Sequence, residues 1–164
     1  MFIISQAAES DIPAIIEIAE KTWWQTYSSL LTSEQIRYML NALYAPETIQ
    51  KDMRAGTQTY LLIQDDHLPQ GFASFGRRKD EQGVFKIHKL YVLPDKQGKG
   101  YGKALIQEIK NRLLRENIHK LDLNVNRFNP ARHFYEKIGF GLLREEDIPI
   151  GPYWMNDFVM RTEF

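Results

Sequence analysis

Midway along the chain the sequence reads Gln97-Gly98-Lys99-Gly100-Tyr101-Gly102-Lys103, and the apolar pattern differs on its two sides. Before it, residues 87–93 form a short apolar run that a proline ends, which is typical of a buried strand. After it, Leu105, Ile109 and Leu113 recur at every fourth position, as on one face of a helix. Glycines at a strand-to-helix junction let backbone approach a ligand, and the first amides of a helix attract anions. We therefore predict a phosphate-binding loop.

Two common phosphate-binding loops do not fit this spacing. A Walker loop requires Ser or Thr after its Gly-Lys pair, but Ala104 follows Gly102-Lys103, and the upstream glycine is replaced by Gln97. A dinucleotide-binding fingerprint requires glycine where this chain has Lys103, and it lies near the start of a βαβ unit rather than past mid-chain. Both loops are therefore excluded.

The stretch matches a different pattern, Gln/Arg-x-x-Gly-x-Gly/Ala, as Gln97-x-x-Gly100-x-Gly102. Together with the strand before it and the helix after it, this pattern closely resembles the coenzyme A loop of GCN5-related N-acetyltransferases (GNATs). Residues 124–140, which include Phe134-Tyr135 and Gly139-Phe140, resemble the second signature of the same superfamily. The two resemblances together imply the GNAT acyl-CoA N-acyltransferase fold and acetyl-CoA as the cofactor.

Composition limits the class of protein. With 164 residues, 43% of them hydrophobic and 26% charged, we expect one globular domain over residues 1–164. Lys plus Arg equal Asp plus Glu, at 21 each, so no net field attracts nucleic acid. The absence of cysteine excludes disulfides and thiolate nucleophiles, and no pair of histidines has metal-ligand spacing. No run approaches the roughly 18 apolar residues of a membrane span, and residues 1–4 do not resemble a signal peptide, so we expect a cytoplasmic protein without a membrane partner.

Apolar periodicity and capping residues predict the other elements. Asp11 and Pro13 mark the start of a helix that ends near Tyr27, and Thr32-x-x-Gln35 is a capping box for a second helix. Further helices are predicted at 46–53, 104–114 and 130–137, and strands at 2–7, 59–64, 71–75, 84–93, 121–125, 140–144 and 153–162, with a wide turn at 65–70. This order predicts an α/β (α+β) fold with a mixed, mostly antiparallel seven-stranded sheet and helices on both faces.

The resemblance also implies how the cofactor is held. The loop amides would bind the pyrophosphate of acetyl-CoA, and the edge of residues 90–92 would pair with the pantetheine arm like an added strand. Asn129, which precedes Pro130, would hydrogen-bond the same arm. The cofactor-binding residues implied in this way are Leu90, Tyr91, Val92, Gln97, Gly98, Lys99, Gly100, Tyr101, Gly102, Lys103, Asn124 and Asn129.

The resemblance implies that acetyl is transferred directly to the acceptor, without a covalent enzyme intermediate. Such a reaction needs a general acid and a general base. The resemblance places Tyr135 at the sulfur, where a phenol with a pKa near 10 stays protonated and can donate to the departing thiolate. The acceptor amine must lose a proton, because an alkylamine with a pKa near 10.4 is protonated at pH 7. We predict that Lys86, His88, Leu90 and Val92 share one face of their strand, which makes His88 the candidate base. A histidine that merely bonds a backbone carbonyl fits the pattern equally well.

The acceptor side of such enzymes is formed by the first helix, its following loop and the last hairpin. We predict that aromatic residues line it, although plain packing also explains them: Trp24, Tyr27, Tyr153 and Trp154. Residues 22–27 and 157–160 loosely resemble PaiA-type polyamine acetyltransferases. A polyamine site should be acidic, yet Lys86 and His88 stand where many relatives carry glutamate. Acidic residues of the last hairpin can compensate: Glu145, Glu146, Asp147 and Asp157.

Three functions remain open at this stage. The first is acetylation of a small primary amine, with a polyamine such as spermidine as one candidate. The second is acetylation of a protein or peptide at an α-amine or a lysine, which requires an open groove. The third is a non-catalytic acyl-CoA-binding regulatory module, against which Tyr135 and Asn129 argue. The last strand, 153–162, can pair across a homodimer or complete its own sheet.

Overall fold

The computed structural model describes residues 1–164 and contains one seven-stranded sheet with the order β1-β2-β3-β4-β5-β7-β6. Only the β4–β5 pair is parallel, so the predicted mixed, mostly antiparallel sheet is confirmed. The strands are β1 (Phe2–Gln6), β2 (Thr59–Asp65), β3 (Leu68–Arg77), β4 (Val84–Val92), β5 (Lys120–Asn126), β6 (Gly141–Ile150) and β7 (Tyr153–Glu163). The helices are α1 (Ile12–Tyr27), α2 (Ser33–Tyr44), α3 (Pro46–Ala55), α4 (Tyr101–Arg115) and α5 (Ala131–Lys137).

Helices cover both faces of the sheet, as predicted. Alternate residues of a strand point to opposite faces, and β2 shows this clearly. Tyr60 and Leu62 are buried with α1, α2 and α3, whereas Leu61 and Ile63 are buried with α4. The two faces are called the α1–α3 face and the α4–α5 face below. None of the helices is both long enough and apolar enough to cross a membrane.

The ends of the helices follow the local capping signals only in part. The Thr32 hydroxyl accepts the Gln35 amide at 3.1 Å, as the capping box predicts. Gly56 ends α3 with a φ of +69°. Asp11 does not cap α1, because its carboxylate accepts the Ala8 amide at 2.8 Å and closes a short 3-10 turn before the helix.

Both hairpins differ from the prediction in length. The β2–β3 turn is tight, with Asp66 and His67 at φ values of +50° and +63°, and the predicted wide turn is wrong. Residues 68–70 instead form the beginning of β3. A bulge there leaves Gln70 unpaired with β2, and a strand can contain a proline beside such a bulge. In the last hairpin β6 extends to Ile150 rather than ending near residue 144, because its ladder with β7 continues to the turn.

A bulge in β4 changes which side chains share a face. Ser74 of β3 pairs with Lys89 and Phe75 pairs with Ile87, so His88 is the extra residue. An extra residue reverses the alternation of side chains beyond it. Leu90 and Val92 therefore lie on the α4–α5 face, and Lys86, opposite Asp122, lies on the α1–α3 face. The prediction that these residues and His88 share one face is wrong.

The sheet opens at the same bulge. Val84–Ile87 pairs with Lys120–Leu123, but from His88 onward β4 has no pairing with β5. Beyond this point β5 remains paired with β7 through Asn126, and β4 remains paired with β3 through Val92. The two parallel strands therefore diverge in the middle of the sheet and leave an opening that connects its two faces.

Candidate active site

The glycine-rich loop presents a series of free backbone amides. None of the six amides from Gly98 to Lys103 has a hydrogen-bond acceptor in the protein, and the first helical bond runs from Ala104 to the Gly100 carbonyl at 3.0 Å. Gly98 and Gly100 have φ values of +81° and +85°, and a Cβ at either position would meet nothing within 4 Å. These amides at the start of α4 are therefore accessible to an anion, which they and the helix dipole would stabilise. Lys99 and Lys103 are exposed beside them.

Two side chains of the loop shape it rather than face a ligand. The Gln97 amide group donates to the Val92 carbonyl at 3.2 Å and so ties the loop to the end of β4. The Tyr101 ring is buried, and its hydroxyl donates to the Asp65 carboxylate at 2.7 Å, a bond that raises the pKa of the phenol. Only the backbone of Tyr101 remains available to a phosphate.

The edge of β4 beside the opening is free to pair with an extended ligand. Leu90, Tyr91 and Val92 pair on one side with β3 and on the other side with no strand. An unpaired strand edge presents amide and carbonyl groups that can bind the amides of an extended molecule. The Tyr91 ring turns away from this edge and packs on Phe72 and Tyr44, with ring centroids 5.7 Å and 6.1 Å apart.

A basic groove of about 410 Å³ lies next to the loop, between α4 and α5. Its lining includes three ammonium groups, which suit a ligand with several phosphates. The lining residues are Lys103, Ile106, Gln107, Lys110, Lys137, Ile138 and Gly139. Taken together, the free amides, the free strand edge and this groove fit an extended cofactor that carries a pyrophosphate and amide groups.

Tyr135 lies where it can act as an acid. Its ring packs against Phe134 and Phe140, with centroids 5.4 Å and 6.0 Å apart, and its hydroxyl has no hydrogen-bond partner in the protein. Burial raises the pKa of Tyr135 to about 12, so the phenol is protonated at neutral pH. Burial is the main cause of the raised pKa values of Tyr27 and Tyr91 on the α1–α3 face, and the Tyr135 hydroxyl adds to both, so it lies near these two phenols.

The two predicted cofactor-binding asparagines lie in different surroundings. The side-chain oxygen Oδ1 of Asn129 accepts a hydrogen bond from the Ala131 amide at 2.9 Å, at the start of α5. The side-chain NH2 group of Asn129 then lies beside the Tyr27 hydroxyl. Asn124 points to the α1–α3 face, where its NH2 group donates to Asp157 at 3.3 Å. The structure thus places Asn124 on the face opposite α4 and the glycine-rich loop.

His88 lies at the bulge on the α1–α3 face, with part of its side chain exposed and part of it buried. Its imidazole lies near Gly76, where a Cβ would be 3.6 Å from Nε2. Partial burial, followed by the positive charges of Lys86 and Lys89, lowers the pKa of His88 to about 4. The imidazole is therefore neutral at pH 7, as a proton acceptor must be, but it is a weak base.

The structure brings together three of the four predicted acceptor-side aromatics. Tyr27 is buried against Trp23, with centroids 4.5 Å apart. The Arg37 guanidinium lies 5.6 Å from the Trp24 ring, and Tyr153 packs with the helices of the α1–α3 face. Trp154 is separate: side chains alternate along β7, so it points away from Tyr153, and it is 59% exposed.

Sequence reasoning did not distinguish among the acidic residues of the last hairpin. Glu146 and Asp157 form a directly opposed pair, and Asp157, whose pKa is raised mainly by burial, faces α1–α3. Glu145 and Asp147 are instead exposed and lie 3.9 Å and 2.8 Å from the Arg127 guanidinium. Alternation along β7 indicates that Asp157 shares a face with Tyr153 and Met155, a signal available from the sequence.

Comparison with known proteins agrees with this geometry. The family model described as Acetyltransferase (GNAT) domain matches residues 28–149. A spermidine N(1)-acetyltransferase of Thermoplasma acidophilum is 24% identical over 163 residues, which cover 98% of this chain and 96% of that protein. A [ribosomal protein bS18]-alanine N-acetyltransferase of Haemophilus influenzae is 40% identical, but only over 70 residues, 43% of this chain and 46% of that protein.

The fold has a close counterpart among solved structures. The crystal structure of the PaiA N-acetyltransferase from Thermoplasma acidophilum in complex with coenzyme A superimposes with a TM-score of 0.85 at 24% identity, and the match covers 100% of this chain and 99% of that one. The chain therefore belongs to the GNAT family and is an N-acetyltransferase whose cosubstrate is acetyl-CoA.

Proposed function

We propose that this protein acetylates a primary amine of a small molecule, and that a polyamine such as spermidine is the first acceptor to test. The observation that carries the proposal is the closed β6–β7 hairpin. Its turn lies against α2, where the Tyr38 ring contacts Gly151 and packs on Tyr153 with centroids 5.4 Å apart. In this proposal the contact narrows the acceptor side, which favours a small acceptor over a peptide that needs an open groove.

The charges of the covered face favour a cationic acceptor. Asp157 and Glu146 both face the α1–α3 side; Glu146 is partly exposed beside Arg144, whereas Asp157 is buried, and opposite charges attract more strongly where water is excluded. The similarity to a spermidine N(1)-acetyltransferase over nearly the whole chain supports the same class of acceptor. Lys86 reduces the negative field, although it lies in no ion pair within 4 Å of either carboxylate.

The residues of the chain divide the reaction between them. Acetyl-CoA supplies the activated acetyl group when bound; the amides of Gly98 to Lys103 hold its pyrophosphate, and the edge of Leu90–Val92 aligns the arm that carries it. Tyr135 donates its phenolic proton to the departing sulfur. The resemblance makes His88 the candidate acceptor of the proton that the amine loses, but its pKa of about 4 makes it a weak base.

A thiol-release assay with acetyl-CoA and a panel of acceptors tests the proposal. The panel contains spermidine, spermine, monoamines, amino acids and short peptides. We expect the highest kcat/KM with a polyamine. Turnover on peptides alone would contradict the small acceptor, and the partial similarity to the bS18-alanine enzyme makes the N-terminal alanine peptide the sharpest competitor. Binding of acetyl-CoA without turnover on any acceptor would favour a regulatory module.

A further inference from the structure

Two buried oxygen atoms on the α1–α3 face have no hydrogen-bond partner in the protein. They are Oδ1 of Asp157, whose residue is 7% exposed, and Oδ1 of Asn124. The two side chains are joined by the 3.3 Å bond from Asn124 Nδ2 to Asp157 Oδ2, so both free oxygens belong to one small group. Buried acceptors are nearly always paired, so a hydrogen-bond donor from outside the chain would complete this group.

The group lies at the opening between β4 and β5. Asp157 of β7 is directly opposite Asn126, the last residue of β5, and the chain then continues to the helix that carries Tyr135. Tyr27 lies near all three parts: burial is the main cause of its raised pKa, Asp157 and Tyr135 add to it, and the Asn129 side chain lies within hydrogen-bonding reach of its hydroxyl. The carboxylate therefore lies on the acceptor side of the opening that Tyr135 borders.

The charged groups around Asp157 leave it without an ion pair. Lys86 faces it from β4, Glu146 from β6 and Arg127 from the segment after β5, while Tyr27 faces it from α1. Neither cation lies within 4 Å of the carboxylate, and Arg127 bonds the Asp147 carboxylate and the Asp157 backbone carbonyl instead. A buried carboxylate without a cation is costly, so binding of a positive ligand at this point is strongly favoured.

We propose that the Asp157 carboxylate and the Asn124 amide oxygen bind the ammonium group of the acceptor, and that Asp157 takes up its proton. This inference rests on the proposed function. An ammonium group has enough N–H donors for both oxygens. One N–H bond breaks, its electron pair stays on nitrogen as the nucleophilic lone pair, and the proton joins Asp157 Oδ1, which later releases it to water.

Charge distinguishes Asp157 from His88 as the proton acceptor. Lys86 lies near both groups, but the neutral His88 imidazole does not attract a cationic acceptor, whereas the Asp157 carboxylate does. Burial raises the pKa of Asp157, so its neutral acid form, which proton transfer produces, is tolerated at this position. The same raised pKa predicts that kcat/KM falls as the pH falls through it, because the carboxylate must be ionised to act.

Steady-state kinetics with acetyl-CoA and the best amine test the assignment. Asp157→Asn should raise the acceptor KM by about 10- to 100-fold, the cost of a lost charged hydrogen bond, and should abolish the acid limb of kcat/KM. The KM for acetyl-CoA should not change. Asn124→Ala should raise the acceptor KM by a smaller factor. The matched control is Glu145→Gln, which removes an exposed acid that lies opposite Phe158 rather than Asp157 in the ladder, and it should have little effect.

A binding measurement gives a second readout that does not depend on turnover. In the protein saturated with coenzyme A, carbon NMR of the Asp157 carboxyl should show its pKa lowered on addition of spermidine, since a bound cation stabilises the carboxylate. This measurement, with Asn124→Ala, also decides the case if Asp157→Asn does not fold. Two results would overturn the assignment of Asp157 and leave the proposed function intact. One is turnover on amines while the Asp157 pKa does not change on addition of spermidine. The other is loss of the acid limb in His88→Ala rather than in Asp157→Asn. A wild-type protein that acetylates no amine would overturn the proposed function with it.

Discussion

The proposed cofactor side of this site consists mainly of backbone groups, whereas the proposed acceptor side consists mainly of side chains. The cofactor side uses backbone: six consecutive free amides before and within the first turn of α4, and the unpaired edge of β4. The acceptor side uses side chains from five elements, α1, α2, β5, β6 and β7. Backbone recognition requires a continuous segment with particular glycines, whereas side-chain recognition can change at any single position. The contrast predicts that the cofactor side encodes family membership and that the acceptor side encodes the choice of amine.

Removing the hydroxyl of Tyr135, which stands between the two sides, should have the largest effect. Tyr135→Phe should lower kcat by about 10²–10⁴-fold, the usual contribution of general acid catalysis. The melting temperature and the affinity for acetyl-CoA should stay near those of the wild type, because this hydroxyl bonds no protein group. Since the pKa of Tyr135 is about 12, its ionisation should not reduce activity at any pH well below that value. Steady-state assays measure kcat, and calorimetry measures the melting temperature and the affinity for acetyl-CoA.

A matched phenol serves as the control for that variant. Tyr101→Phe removes a hydroxyl that donates to Asp65 at 2.7 Å, on the far side of the loop. It should lower stability slightly and leave kcat unchanged. A similar loss of kcat in both variants would contradict the role of Tyr135 as the acid.

The next largest effect should separate backbone recognition from backbone strain. Gly100 and Gly83 have φ values of +85° and +79°, and a Cβ at either would meet nothing within 4 Å. Alanine at either position should therefore cost about 1–3 kcal/mol of stability. Only Gly100→Ala should also weaken acetyl-CoA binding, by about 10- to 100-fold, because its Cβ enters the space in front of the free amides. Titration calorimetry of both variants decides this, and equal affinities would mean that the loop is not the anion site.

A smaller effect is expected on the acceptor side alone. A Cβ at Gly151 would overlap the Tyr38 ring, so Gly151→Ala should move the hairpin away from α2. The KM for the amine should rise a few-fold while the affinity for acetyl-CoA is unchanged. The double variant with Tyr38→Ala restores the space, and should recover part of the lost stability. If Gly151→Ala weakens both substrates equally, the two sides are not independent.

The smallest effect concerns His88 and the dependence of stability on pH. Its pKa is lowered from 6.5 to about 4, so between these values the unfolded chain binds more protons than the folded one. The free energy of unfolding should therefore decrease as the pH falls through this window. The decrease over the same window should be smaller in His88→Gln than in the wild type. Urea denaturation at the two ends of the window measures the difference. An identical loss in both proteins would show that the imidazole is not desolvated in the folded state.

Most elements could be predicted because their signals are local. Capping at Thr32, the glycine that ends α3 and the four-residue spacing of Leu105, Ile109 and Leu113 involve only neighbouring residues. The loop could be predicted for the same reason, since free amides at a helix start depend on a few adjacent positions. The order of elements then limited the topology to a mixed sheet, which the structure confirms.

The errors that affect the site arose where pairing between distant strands decides the outcome. The bulge at His88 depends on the register of β4 against β3, and one extra residue moved Leu90 and Val92 to the face opposite Lys86. The opening beside it exists because β5 remains paired with β7 while β4 remains paired with β3. This pairing depends on contacts between residues that are far apart in the chain. Asp157 and Asn124 meet only across the β5–β7 ladder, 33 positions apart in the chain. Local patterns thus specify the elements and the cofactor loop, while register and strand pairing determine which side chains meet at the acceptor site.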